Sequence, residues 1–201
     1  MAERKITADE VISCPSYSAP VGWPNCWIYR TLHYGHDVQW AYDGGNKARN
    51  AIKGSCNIYF SHLAARIEPR VMQQWLYDFG FGQDALQTTI SDRTFLQAAG
   101  NITSGRQTKD NFPQIESGER RFFGIGQGSF RATTLQVANA YAAIARNGFF
   151  KKSRIITTDP VDPGHSLNLD DYVLSTLYDG MYAVVNESGG TAAEQFAGWG
   201  L

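Results

Sequence analysis

The sequence predicts an α+β fold that is mainly helical, with one short strand. Three observations carry that prediction. Several segments repeat apolar residues at helical spacing. Gly- and Pro-rich stretches separate them. Only one run, "RIITTDP" at 154–160, reads as a strand.

The elements follow in order. Residues 1–50 are rich in Pro, Gly, Tyr and Trp and show little periodicity, and "CPSYSAPVGWPNCW" holds three prolines. That stretch reads as an irregular, aromatic-packed loop, and "YDGGN" at 42–46 as a turn. Order improves from Ser55. "NIYFSHLAARI" places Ile58, Leu63 and Ile67 near helical spacing, and Pro69 bounds it. "RVMQQWLYDFGFG" predicts a second helix with Val71, Trp75 and Leu76 on one side, stopped by Gly80 and Gly82. "SDRTFLQAAG" (91–100) reads as a further helix, followed by a polar loop to Arg121. Asn101 heads an Asn-Ile-Thr sequon, which has meaning only in a glycosylating compartment. The clearest helix is "TTLQVANAYAAIARNG". Thr133 or Thr134 caps it, Leu135, Ala138, Tyr141, Ala142 and Ala145 form an apolar stripe, and Gly148 supplies a left-handed stop. A last helix lies in "LDDYVLSTLYDGMYAVVN", with Val173, Leu177, Met181 and Val184 on one face. "GGTA" (189–192) reads as a turn with Thr191 capping a helix.

Bulk properties exclude several functions. The 201 residues carry a formal net charge of -1, so no broad basic surface draws the chain to nucleic acid or anionic lipid. No apolar run approaches the ~20 residues that span a bilayer. The first ten residues lack the apolar stretch of a signal peptide, so the chain carries no such address of its own. The cysteines are Cys14, Cys26 and Cys56, an odd number that cannot be fully paired within one chain.

One short stretch points to chemistry. Ser55, Cys56 and Asn57 form a Ser-x-Asn element, which some serine acyltransferases use beside a Ser-x-x-Lys nucleophile and a Lys-Thr-Gly strand. In an extended or tight-turn backbone the outer two side chains face a cleft and Cys56 faces away. A hydroxyl there relays a proton to a leaving amine, and a carboxamide holds a substrate amide through one donor and one acceptor. The alternative is a Ser or Asn that caps the next helix.

The phrases "GSCNIYFSHLA", "WLYDFGFG", "GIGQGSFRATTLQVANAYAAIARNG" and "DGMYAVVNESGGTA" occur in an order that resembles the transpeptidase domain of class B penicillin-binding proteins, elongation type. The resemblance covers nearly the whole chain. It implies the mainly helical lobe of the penicillin-binding transpeptidase and serine β-lactamase-like fold, with an incomplete sheet. Residues 1–54 would be its loop-rich segment and 55–201 the helical lobe with short strands. It also implies a peptidoglycan D,D-transpeptidase in which a serine attacks a stem peptide, expels D-Ala and passes the acyl group to a neighbouring amine. β-Lactams acylate that serine. Ser55 would be the proton relay and Asn57 the substrate-amide clamp. No cofactor serves the catalysis. The implied partners are the stem peptide, β-lactams and the cell-wall elongation machinery, at the outer face of the bacterial cytoplasmic membrane. The anchor would lie outside this chain.

The chain departs from the family pattern in two places. No serine is followed three residues on by lysine, and the chain stops at Leu201, short of the Lys-Thr-Gly phrase. The 201 residues alone are therefore expected neither to transpeptidate nor to bind penicillin covalently. Alternatives are a division-type enzyme, a β-lactamase or β-lactam-sensor relative, or a non-catalytic zinc-stabilised binding remnant.

Some elongation-type relatives hold a metal behind the Ser-x-Asn turn. Matched to their phrases, Cys14, Cys26, His36 and Cys56 occupy the ligand positions, with thiolates where the family has carboxylates. Thiolates suit zinc. Asp37 stands where the family has a glycine. A structural zinc would pin an irregular loop against the back of the turn. A Cys14–Cys26 disulfide, with Cys56 as a small buried hydrophobe, is the competing expectation, and free thiols are the third.

Overall fold

Short-range backbone signals set the helices of this chain. The computed structural model describes residues 1–84, 87–90, 93–108, 111–154 and 156–199. In chain order they form α1 (Trp27–Leu32), α2 (His36–Gln39), α3 (Ala48–Lys53), α4 (Asn57–Ala65) and α5 (Pro69–Asp78). Next come β1 (Gln87–Ile90), β2 (Arg93–Leu96), α6 (Arg120–Phe123), α7 (Thr134–Ala145), β3 (Phe149–Phe150), β4 (His165–Ser166) and α8 (Asp171–Asn186). The fold is α+β and mainly helical, with two antiparallel strand pairs, β1–β2 and β3–β4, among the described residues. None of the described helices is long and apolar enough to cross a membrane.

The chain groups into two units. The first comprises Met1–Ile67, Arg120–Ile125 and Asp170–Leu201. Its core gathers Ile6, Ile12, Ile28, Ala48, Ala51, Ile58 and Tyr59 with all three cysteines. The segment expected to be irregular holds three short helices, α1 to α3. They are short because Gly35, Gly44 and Gly45 interrupt the run, the last two at φ +78° and +81°. α3 packs on α8, where Gly180 lets Ile52 approach; a Cβ at 180 would lie 2.8 Å from Ile52 Cδ1. Glu187 accepts from both Arg49 and Lys53 and ties the end of α8 to α3. α8 begins at Asp170, whose carboxylate caps Val173 N, and buries Val173, Leu174, Gly180 and Ala183. Leu177, Met181 and Val184 of the predicted face are half-buried. "GGTA" is a turn, with Thr191 N bonded to Lys53 O rather than capping a helix. Trp23 is layered between His62, stacked at 4.3 Å, and the Arg121 guanidinium at 3.9 Å.

The second unit comprises Glu68–Glu119 and Gly126–Leu169. Side-chain carboxamides hold its loops. Gln73 Nε2 donates to Ile102 O and Pro113 O. Asn101 Nδ2 donates to the carbonyls of Thr103, Gly105 and Ser129. Gln136 is fully buried, and its Nε2 reaches the carbonyls of Gly80, Gln83 and Ala99. Its oxygen closes a capping box with Thr133 at the start of α7, as the sequence led us to expect for Thr133.

Three expectations fail in this unit. The buried face of α7 is Gln136, Asn139, Ala140 and Ala143, while Tyr141 of the predicted stripe is 58% exposed. Carboxamides that satisfy loop carbonyls outrank apolar side chains here. The helix expected at 91–100 is a strand over Arg93–Leu96, where Thr94 and Phe95 favour pairing with Thr89 and Thr88; residues 91 and 92 lie outside the described residues. Residues 156–159 form a turn rather than a strand, closed by Asp159 N to Ile156 O, with Arg154 donating to Thr157 O and Asp159 O. Residue 155 of that stretch lies outside the described residues.

Two outcomes follow. Replacing Gln136 with Met leaves three carbonyls short of a donor, and we expect urea denaturation to register a loss of about 2–3 kcal/mol. Burial first, then Arg66 and Arg121, lowers the His62 pKa from 6.5. The folded state thus favours neutral His62. Its contribution is complete above about pH 6.5 and is lost as pH falls through the folded value. In a pH series of melting temperatures, His62→Phe should flatten the slope below that point.

Candidate functional site

The turn between α3 and α4 brings the sequence-predicted residues together. Gly54 closes α3, Ser55 takes a left-handed conformation at φ +51°, Cys56 is extended at φ -76°, and Asn57 begins α4. This reverses the chain around Cys56. Ser55 is exposed, Asn57 half-buried and Cys56 fully buried. The turn is made by a left-handed residue followed by a helix start rather than by an extended strand. The helix cap is neither Ser55 nor Asn57. It is Cys56, whose Sγ accepts from Tyr59 N at 3.4 Å. Asn57 Nδ2 donates to Asn25 O at 3.0 Å, which fixes how the carboxamide is turned.

Behind the turn the four predicted metal-ligating residues converge. The Sγ atoms of Cys14, Cys26 and Cys56 and a ring nitrogen of His36 all lie within 4.8 Å of one another, and all four residues are buried. Cys14 Sγ and Cys26 Sγ each lie 3.4 Å from His36 Nδ1. The three cysteines are unpaired, so the Cys14–Cys26 disulfide is not formed. His36 Nε2 sits 2.9 Å from Gly54 O. A carbonyl only accepts, so Nε2 carries the proton and Nδ1 offers its lone pair to the cluster.

The donor set fits a closed tetrahedral zinc site. Such an ion takes Cys₃His ligands with bonds of about 2.0–2.3 Å, so its donors stand roughly 3.5–3.8 Å apart. The proton distribution among the thiols shows what a cation would relieve. The contact with Cys26 pushes Cys14 up to about 12, the same contact pulls Cys26 down, and burial is the first cause that raises Cys56. Without a positive charge the pocket tolerates only part of the set as thiolate. A cavity of about 350 Å³, lined in part by Trp23, Cys26, Ile58 and His62, adjoins the cluster at Cys26.

The supporting residues were largely unseen in the sequence. Asp37 stands where the family has a glycine. Its carboxylate accepts from Ser13 Oγ at 2.5 Å and Cys14 N at 2.7 Å, so it anchors the Cys14 backbone. Asn46 is buried and donates to Ile12 O at 2.8 Å and to Cys56 Sγ at 3.3 Å. Trp40 stacks on His36 at 22° and carries Lys53 Nζ 4.9 Å above its ring. Gly35 and Gly54 are compelled by contact. A Cβ at 35 would lie 2.0 Å from Cys14 O, and one at 54 would lie 2.7 Å from His36 Nε2 and 2.9 Å from Trp40 Cζ2. A glycine immediately before a candidate ligand or motif residue was the one available signal.

The fold and this turn together define a class. The chain matches the penicillin binding protein transpeptidase domain over residues 2–201, and it belongs to that family. Its similarity runs to the elongation-type members. It is 29% identical over 171 residues to "Peptidoglycan D,D-transpeptidase MrdA" of Haemophilus influenzae, covering 77% of this chain and 25% of that protein. The Acinetobacter baumannii protein of the same name is 37% identical over 98 residues, covering 49% of this chain and 14% of the relative. Among solved structures, the penicillin-binding protein PBP2 of Helicobacter pylori superposes with a TM-score of 0.72 at 26% identity, covering 96% of this chain and 34% of that one. PBP2 of Pseudomonas aeruginosa, solved in complex with WCK 5153, gives a TM-score of 0.72 at 26% identity over 97% of this chain and 42% of its own. The chain thus spans about a quarter of the Haemophilus relative.

Because a Cβ at 54 has no room, Gly54→Ala should cost about 1–3 kcal/mol of stability. Differential scanning fluorimetry, with Gly118→Ala as a control at a position open on all sides, reads this directly.

Proposed function

We propose that this chain is part of a peptidoglycan D,D-transpeptidase of the elongation type, acting at the outer face of the bacterial cytoplasmic membrane. The carrying observation is the Ser55–Asn57 turn, with Ser55 exposed, Asn57 half-buried and Cys56 buried between them, in a chain whose named relatives are peptidoglycan D,D-transpeptidases. In this reading a serine of a Ser-x-x-Lys element, contributed by chain outside these 201 residues, attacks the penultimate D-Ala carbonyl of a stem peptide. Ser55 Oγ relays a proton to the departing D-Ala amine. Asn57 holds the stem-peptide amide, its orientation set by the bond to Asn25 O. The acyl group then passes to the amine of a neighbouring stem. β-Lactams would acylate the same serine. A solved complex of PBP2 with MreC from Helicobacter pylori supports partners in the elongation machinery.

Cys14, Cys26, His36 and Cys56 would hold a structural zinc. Held there, a zinc ion would be structural, and its ligands would tie the loop before α1 and the start of α1 to α2 and to the start of α4.

Two measurements test the reading. Purified chain supplied with zinc should carry about one zinc per molecule by elemental analysis, falling to near zero in Cys14→Ser and Cys56→Ser; zinc-free chain in which Cys14 and Cys26 resist alkylation would favour the disulfide. Fluorescent penicillin should leave the 201-residue chain unlabelled. In the full-length protein, Ser55→Ala or Asn57→Ala should slow acylation by roughly 10²-fold. Labelling of the isolated chain would overturn the assignment of the nucleophile to another segment.

A further inference from the structure

The Gly54 carbonyl accepts two ring N–H donors, from Trp27 Nε1 at 2.8 Å and His36 Nε2 at 2.9 Å. A carbonyl oxygen has two lone pairs, so this one is saturated. The peptide plane between Gly54 and Ser55 cannot turn without breaking both bonds. That peptide is also the one that sets Ser55 at φ +51°. A non-glycine residue keeps this conformation only where its surroundings hold it.

Trp27 is the first residue of α1, and its neighbours touch the same turn. Asn25 O receives Asn57 Nδ2, and Cys26 Sγ belongs to the cluster that includes Cys56. The tripeptide Asn25–Cys26–Trp27 thus meets the turn at Asn57 through its first residue and at Gly54 through its third. The Trp27 ring is half-buried and stands edge-on to His36 at 72°, which aims the indole N–H at the carbonyl.

We propose that Trp27 is a positioning residue for the Ser-x-Asn pair: its indole N–H, with that of His36, fixes the Gly54 carbonyl and so holds the Ser55 hydroxyl where it acts. This rests on the reading of Ser55 and Asn57 given above. The N–H of the same peptide, that of Ser55, donates to Ile52 O at 3.1 Å, which ties it to the last turn of α3. Trp27 reaches the carbonyl from a different helix, so it holds the oxygen end of the peptide together with His36 and links the turn to α1.

The test is Trp27→Phe, which keeps an aromatic ring and removes the donor. In zinc-loaded chain followed by ¹H–¹⁵N NMR, shift changes should be confined to residues around 27 and 36 and to 54–57. Amide exchange at Ser55 and Cys56 should quicken roughly tenfold, with zinc content and α8 exchange unchanged. In the full-length protein the penicillin acylation rate should fall about tenfold, the loss of one hydrogen bond, while the non-covalent affinity for the same penicillin holds. Unaltered exchange at 55 and 56, or an unaltered acylation rate, overturns the proposal. So does zinc loss or a uniform rise in exchange, which would make Trp27 a packing residue only. If Ser55→Ala leaves acylation intact, the underlying reading fails instead, and the NMR arm still decides whether Trp27 fixes the turn.

Discussion

Three sulfur atoms and an imidazole share one buried space behind the Gly54–Asn57 turn, and much of the first unit is arranged around that meeting. Each of the four residues comes from a different short piece of backbone. Cys14 lies in a loop, Cys26 and Cys56 cap helices, and His36 opens α2. Such pieces have few hydrogen bonds of their own and little apolar area to bury. Bringing four polarisable donors together supplies a centre that the loop cannot build from aliphatic side chains. The second layer then follows. Asp37 holds Cys14, Asn46 holds Cys56, and Gly54 holds His36.

The same turn couples the buried cluster to the exposed pair. His36 spans the distance with its two nitrogens, Nδ1 toward sulfur and Nε2 toward the Gly54 carbonyl. A proton on Nε2 therefore serves the cluster and the turn together. Ser55 tolerates its left-handed backbone because the peptide before it and the helix after it are both held. On the other side of His36, Trp40, Lys53 and Glu187 continue the chain of contacts to α8. Lys53 is buried, and a buried ammonium without Glu187 and the Trp40 ring would be costly.

The second unit meets a similar shortage of regular structure by different means. Gln73, Asn101 and Gln136 each place an amide nitrogen among loop carbonyls that have no strand partner. Buried carboxamides thus do in this unit what sulfur and imidazole do in the first. This explains why periodicity misled at α7. A glutamine reads as a surface residue, and nothing local reveals that loops at 80, 83 and 99 converge on it.

Much of the architecture was written in local signals. The ends of α4, α5, α7 and α8 follow from Pro69, Thr133, Gly148 and Asp170, because capping and backbone preference act within a few residues. The Ser-x-Asn segment and the four residues that cluster behind it were legible as residue types in family order. What tertiary structure alone decided was which way they face and what holds them: the left-handed Ser55, Cys56 as a sulfur cap, the Asp37 anchor, the strand at Arg93–Leu96 and the polar face of α7. Those features depend on atoms tens of residues apart meeting at hydrogen-bond distance. A one-dimensional pattern records the donors and acceptors, while only the folded chain pairs them.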